Sequence, residues 1–131
     1  MTAFVDTNIL IRHLTGDPPE QAQRATRYLE RADQLLLSDL ILAEVAYVLE
    51  SYYQVARAQV AETLRSVLSF RAIQVIDRAL LQRAVELYEV HGLDFADAYL
   101  VASAERTGVG VVASFDRGID RVGTMRREEP E

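Results

Sequence analysis

Apolar and polar positions alternate along this chain in two rhythms. Short apolar runs bounded by turn residues read as buried strands, and longer stretches with apolar residues three and four apart read as helices. Residues 2–6 form the first short run. Thr7 and Asn8 suit a helix start, and Ile9-Leu10-Ile11 carries the apolar face onward. Gly16-Asp17-Pro18-Pro19 is a turn, after which the prolines open a helix through about Ala32, with Ala22, Ala25, Tyr28 and Leu29 on one face. Leu35-Leu36-Leu37 is strand-like. Ser38 then caps a helix to about Tyr52 that is apolar nearly all round and is therefore expected to be buried.

The same alternation continues to the end of the chain. Residues 56–70 form an amphipathic helix, with Val60, Leu64, Val67 and Leu68 on one side. Residues 73–76 are a strand. Asp77 caps a helix ending near His91-Gly92, and Asp94 caps another through Arg106 that stops at Gly108. Residues 109–114 are the last clear strand, residues 117–131 are turn-rich, and about 123–131 are expected to be a flexible tail. Strands alternating with helices imply an α/β fold with a largely parallel sheet covered on both faces. No repeat or linker divides the chain, so residues 1–131 are expected to form a single domain.

Composition narrows the chemistry. Of 131 residues, half are hydrophobic and 26% charged, an ordinary globular balance. There is no Cys, which removes disulfides, thiolate catalysis and zinc-thiolate sites and fits a cytoplasmic setting. No signal peptide is evident, and the longest apolar stretch, 35–49, is interrupted by Asp39 and Glu44 and is too short for a membrane span. The net charge of −6 opposes broad electrostatic attachment to nucleic acid. All 14 cationic side chains are Arg, so Lys-dependent chemistry such as Schiff bases and Walker A loops is excluded. Asn8 is the only Asn.

Four acids stand in or beside apolar runs: Asp6, Glu44, Asp97 and Asp116. Carboxylates are costly to bury unpaired. Acids without matching bases point to a hard divalent cation as their partner. Asp6 closes the first strand and Asp116 follows the last, at the carboxyl edge where open α/β sheets bind ligands. Glu44 lies two turns into its apolar helix, where no capping role is open to it. Asp94 and Asp97 share one face near a helix N-terminus. Local roles compete with the metal at several of these positions. Asp94 and Asp6 are placed to cap helices, Asp97 can cap from the third helical position, and Asp116 and Asp120 suit turns. His13 and His91 lack a metal-binding spacing, the Tyr residues on helix faces suit packing or an interface, and the Arg residues of the tail read as solvated charge.

The joint arrangement resembles a known family. Val-Asp-Thr-Asn-Ile-Leu at 5–10, Ser38 followed by Ala43-Glu44-Val45 and Leu49, Phe95-Ala96-Asp97-Ala98 with Ala102, and Ser114-Phe115-Asp116-Arg117 look like the four signatures of the PIN-domain ribonucleases. Within that family they are similar to the VapC toxins of bacterial toxin–antitoxin pairs. The likeness runs from residue 3 to about 122, and Ser114 stands where the family often has Thr.

This resemblance implies a three-layer α/β/α sandwich with a central, largely parallel five-stranded sheet. It implies that Asp6, Glu44, Asp97 and Asp116 bind Mg²⁺, with Mn²⁺ as a substitute, and that Thr7, Asn8, Asp94 and Ser114 support them. It further implies a homodimer, an RNA substrate such as tRNA or another structured RNA, and a cognate antitoxin. A metal-dependent phosphatase, a phospho-acceptor domain and a non-catalytic protein-binding module are the alternatives. The first two normally use a Lys near the phosphoryl group, and this chain has none.

Overall fold

A computed structural model describes residues 2–131. β1 spans Thr2–Phe4, and Val5 extends its ladder by donating its N–H to the Leu36 carbonyl at 3.0 Å. α1 follows at Thr7–Thr15 and stops at Gly16, whose φ of 70° is a conformation that Gly adopts without a Cβ penalty. α2, Pro19–Arg31, starts on a proline, where a missing N–H costs no helical bond. Its buried stripe is Ala22, Ala25 and Leu29. Next come β2 (Gln34–Leu36), α3 (Asp39–Ser51), α4 (Arg57–Leu68) and β3 (Ile73–Gln74).

The chain clusters into two compact units, Met1–Ile76 and Asp77–Glu131. In the first, β1, β2 and β3 form a parallel sheet in that order, with Ala3 opposite Leu35 and Leu35 opposite Ile73. Parallel neighbours need crossovers, and α1–α2 and α3–α4 supply them. Leu10, Leu35, Leu42, Val60, Leu64 and Ile73 are at most 1% exposed and make the core of this unit.

The second unit holds α5 (Arg78–His91), α6 (Phe95–Thr107), β4 (Val111–Ala113), a 3-10 turn (Arg117–Arg121) and β5 (Arg126–Glu128). α5 and α6 pack together over Leu81, Ala84, Val85, Tyr88, Ala98 and Val101, all fully buried. Tyr88 and Phe95 meet with ring centroids 6.2 Å apart. β4 and β5 pair in parallel, Val112 opposite Arg127.

As expected of a largely parallel sheet, the five described strands are all parallel to their neighbours, in a ladder of three strands and a ladder of two. Strands of two or three residues form few ladder bonds, and in each unit these go to strands of that unit. Two expectations are corrected. α3 is not buried all round: Leu42, Val45, Ala46 and Leu49 are buried, whereas Leu40 is 76% and Tyr47 70% exposed. Positions 40, 44 and 47 recur at helical spacing and form one outward stripe, so a run of apolar letters hid an ordinary two-faced helix. Nor is 123–131 simply a loose tail. Residues 126–128 are β5, anchored by Arg127, whose side chain is only 12% exposed.

Candidate active site

In the first unit the buried Val5 leads directly into Asp6 at the end of the β1 ladder. Asp6 occupies the N-cap of α1 with extended backbone, φ −93° and ψ 158°, yet its carboxylate accepts no capping bond. It is exposed, and both oxygens remain available at a helix end whose N–H groups favour anions. The capping role that competed with a site role is therefore not the one Asp6 plays. Beside it, Thr7 is 5% exposed, and its hydroxyl oxygen has no partner. Buried hydroxyls are nearly always satisfied, and leaving one unpaired costs about 1–3 kcal/mol. Asn8 is exposed at the edge of a cleft between α1 and α2.

Glu44 lies in α3, which packs against α1. It was expected to be enclosed by apolar neighbours. Instead it is exposed, because it falls on the outward stripe with Leu40 and Tyr47.

The second unit brings its acids together. Asp116 follows β4 and caps the 3-10 turn, its Oδ1 accepting from the Gly118 N–H at 2.8 Å. The Asp116 N–H donates to the Ser114 hydroxyl at 2.9 Å, which ties the backbone of Asp116 to Ser114. Asp97, half-buried in the first turn of α6, is hydrogen-bonded to Asp116. Burial lifts the Asp97 carboxyl above its ordinary range, and the hydrogen bond and the charges of Asp116 and Asp94 act the same way. Asp116 moves in the opposite direction, held down first by the Gly118 N–H, then by the bond from Asp97, with Arg121 and Arg127 adding attraction. Asp94 occupies the N-cap of α6 but, contrary to expectation, its side chain makes no capping bond.

Arg127 and Asp120, both set aside in the sequence, and Arg121, not singled out there, hold this arrangement. Arg127 donates to the Ser114 carbonyl at 3.0 Å and to both oxygens of Asp120 at 3.0 and 3.2 Å. Arg121 reaches the carbonyls of His91 and Gly92 at 3.3 and 3.4 Å. The spacing of these residues carries no periodic signal. The link is visible only once β5 returns beside β4. His13 is held within the fold, with Nδ1 2.8 Å from the Thr26 hydroxyl and its ring edge-on to Phe70.

Among the described residues no group of three or more His, Cys, Asp or Glu side chains is gathered as a metal ion would require. The donor chemistry nevertheless suits a hard cation on two observations. The Asp97–Asp116 pair makes no ion pair with a base, and the buried Thr7 hydroxyl beside Asp6 lacks a protein partner.

The family model of the PIN domain matches residues 3–125, and the chain belongs to that family. No curated protein matches the chain. Among solved structures, VapC20 of Mycobacterium tuberculosis, described as a Sarcin-Ricin loop cleaving toxin, is 20% identical, with 92% of this chain and 95% of that chain covered and a TM-score of 0.43. VapBC2 from Rickettsia felis, bound to a DNA fragment from its promoter, is 18% identical, with 98% of both chains covered and a TM-score of 0.40. No described helix is long and apolar enough to cross a membrane.

Proposed function

We propose that this chain is a divalent-metal-dependent endoribonuclease, the toxin of a type II toxin–antitoxin pair, acting in the cytoplasm. Membership of the PIN family supports nuclease chemistry. The observation that carries the reading furthest is the Asp97–Asp116 acid pair, fixed by Ser114 and Gly118 with no base ion-paired to it. Asp6, Glu44, Asp97 and Asp116 are the proposed ligands of Mg²⁺, which Mn²⁺ replaces, because hard cations prefer carboxylate oxygen. What such a cation supplies is polarisation of a phosphoryl oxygen and a lowered pKa for an attacking water.

The chain's own residues fix the geometry. Ser114 and the Gly118 N–H aim Asp116, burial in α6 holds Asp97, and the N-terminus of α1 presents Asp6 with its carboxylate uncommitted. Water, not the ribose 2′-hydroxyl, is the proposed nucleophile. The partners are RNA, a second copy of the chain and a co-encoded antitoxin. Co-purification with that antitoxin and a dimer mass in light scattering are the accompanying checks.

The direct test incubates the purified chain with total RNA in Mn²⁺ or EDTA. Metal-dependent cuts at few positions, lacking 2′,3′-cyclic phosphate ends and absent for Asp6→Asn, are expected. Cyclic phosphate as the first product rejects the water mechanism, and an Asp6→Asn chain that still cuts like wild type rejects the site.

A further inference from the structure

Between α1 and α2 lies an open cleft of about 460 Å³. Its lining includes Asn8, Ile9 and Arg12 from α1 and Gln21, Arg24 and Tyr28 from α2, with no carboxylate. In a chain of net charge −6, an acid-free concave surface with two Arg residues is a local reversal of sign. Arg12 is braced, its Nε donating to Gln21 Oε1 at 2.9 Å, which leaves its terminal nitrogens for another acceptor. Arg24 pairs with no described residue, although Glu20 stands one turn before it at a spacing that favours an ion pair. Tyr28 is 36% exposed and lines the cleft.

These groups have complementary uses. Guanidinium groups bind phosphate oxygens as forks. An exposed tyrosine ring stacks on a nucleobase, and a side-chain amide such as that of Asn8 reads a base edge. Asn8 is two residues beyond Asp6, about 3 Å along the helix at 1.5 Å per residue. A stacked base also has to be out of a duplex, which points to a loop or single-stranded segment of a structured RNA.

Resting on the ribonuclease reading, we propose that the α1–α2 cleft is a nucleotide subsite for single-stranded RNA flanking the cut, with Tyr28 stacking on a base and Arg12 and Arg24 holding its phosphate. The cleft then contributes to which RNA is cut, a selectivity that the acidic residues alone do not provide.

The test uses the full chain carrying Asp6→Asn to suppress cleavage, with a fluorescein-labelled, unstructured RNA oligonucleotide of mixed sequence. Binding is read by fluorescence anisotropy over a salt series, with circular dichroism confirming the fold of each variant. Arg24→Gln and Tyr28→Ala should each weaken binding about tenfold. Arg24→Gln should also flatten the salt dependence by about 0.7 in log–log slope, the value for one phosphate contact on a single strand. Tyr28→Ala should leave that slope unchanged, and Tyr28→Phe should retain affinity because it keeps the ring. RNA carrying 5-iodouridine should crosslink to Tyr28 on irradiation. In the active background, Arg24→Gln and Tyr28→Ala should raise KM for RNA.

If the wild-type chain cuts RNA while both variants bind and cut as it does and Tyr28 is not labelled, the subsite is overturned and the ribonuclease reading stands. If the variants keep RNA affinity but escape neutralisation by the antitoxin, the cleft belongs to a protein partner and the RNA assignment fails. If the wild-type chain neither binds nor cuts RNA, both readings fall.

Discussion

Asp116 is set by its immediate neighbours, and Gly118 is the most exacting of them. A Cβ added there would lie 3.0 Å from Asp116 Oδ1 and 3.5 Å from Leu93 Cδ2. The φ of Gly118 is not in the left-handed region, so alanine is acceptable to the backbone, and the strain falls on the carboxylate. Gly118→Ala should therefore keep the fold but push Asp116 aside by a few tenths of an ångström, slowing cleavage by less than the roughly hundredfold that a 1 Å misplacement costs. RNA cleavage measured beside circular dichroism checks this, and wild-type cleavage by a folded Gly118→Ala chain would show that Asp116 need not be placed so tightly. At this scale the sequence was informative about acids and uninformative about what they touch. The adjacency of Asp116 and Ser114 was visible in the motif, whereas the hydrogen bond from Asp97 and the bracing by Arg127 depend on chain returns that no local pattern encodes. Tyr28 was read with Ala22, Ala25 and Leu29 as one face of α2 and Arg24 was not singled out, because the cleft they share with Arg12 depends on the packing of α1 against α2.

Between elements, α5 and α6 are joined by charge as well as by their apolar seam. Arg83 on α5 donates to both oxygens of Glu105 on α6, at 2.7 and 2.8 Å, and Thr124 also donates to Glu105. The Glu105 side chain is only 18% exposed, so this pair is better shielded than a surface salt bridge. The Arg83 hydrogen bonds hold the Glu105 carboxyl below its ordinary value, outweighing burial, with Thr124 helping. A carboxylate with a depressed pKa in the folded state stabilises the fold above its unfolded value of about 4.3, and that stability is lost as pH falls through the lower folded value. Glu105→Gln should accordingly cost about 1–2 kcal/mol at neutral pH, with the gap to wild type closing below about pH 4. Melting curves of both chains at pH 7 and in mild acid check it, and a gap that is constant with pH assigns Glu105 a packing role instead. Element boundaries were the readily legible part of the fold. Gly16, Gly92 and Gly108 end helices with φ of 70°, 69° and 77°, while Ser38 and Asp77 cap α3 and α5 with side-chain bonds. β5 was hidden because Arg126-Arg127-Glu128 contains no apolar residue. Its pairing comes from backbone bonds to β4, and its one inward side chain is an arginine satisfied by acids and a carbonyl. Which strands share a ladder was also beyond the pattern, since every apolar run of this length reads alike.

For the whole molecule, charge sets the terms on which it meets its ligands. Twenty acids against 14 arginines leave a net −6 that repels an RNA backbone unless cations or local basic surface reverse it. The proposed divalent cation would provide one reversal, and the acid-free α1–α2 cleft would provide another. The proposed metal has a thermodynamic consequence that is independent of activity. A cation that binds the native chain alone stabilises it by mass action, by about 2.7 kcal/mol at a concentration a hundredfold above its Kd. For a chain of this size that is a rise in Tm of roughly 10 °C. Asp6→Asn, Asp97→Asn and Glu44→Gln each replace a proposed ligand at nearly constant volume, so each should erase most of the rise while leaving the curve in EDTA little changed. Monovalent salt at matched ionic strength controls for screening, which relieves general repulsion without needing these residues. Wild-type melts that coincide in Mn²⁺ and EDTA would reject a divalent site in the folded chain, and a full rise retained by Asp6→Asn would place the ligands elsewhere.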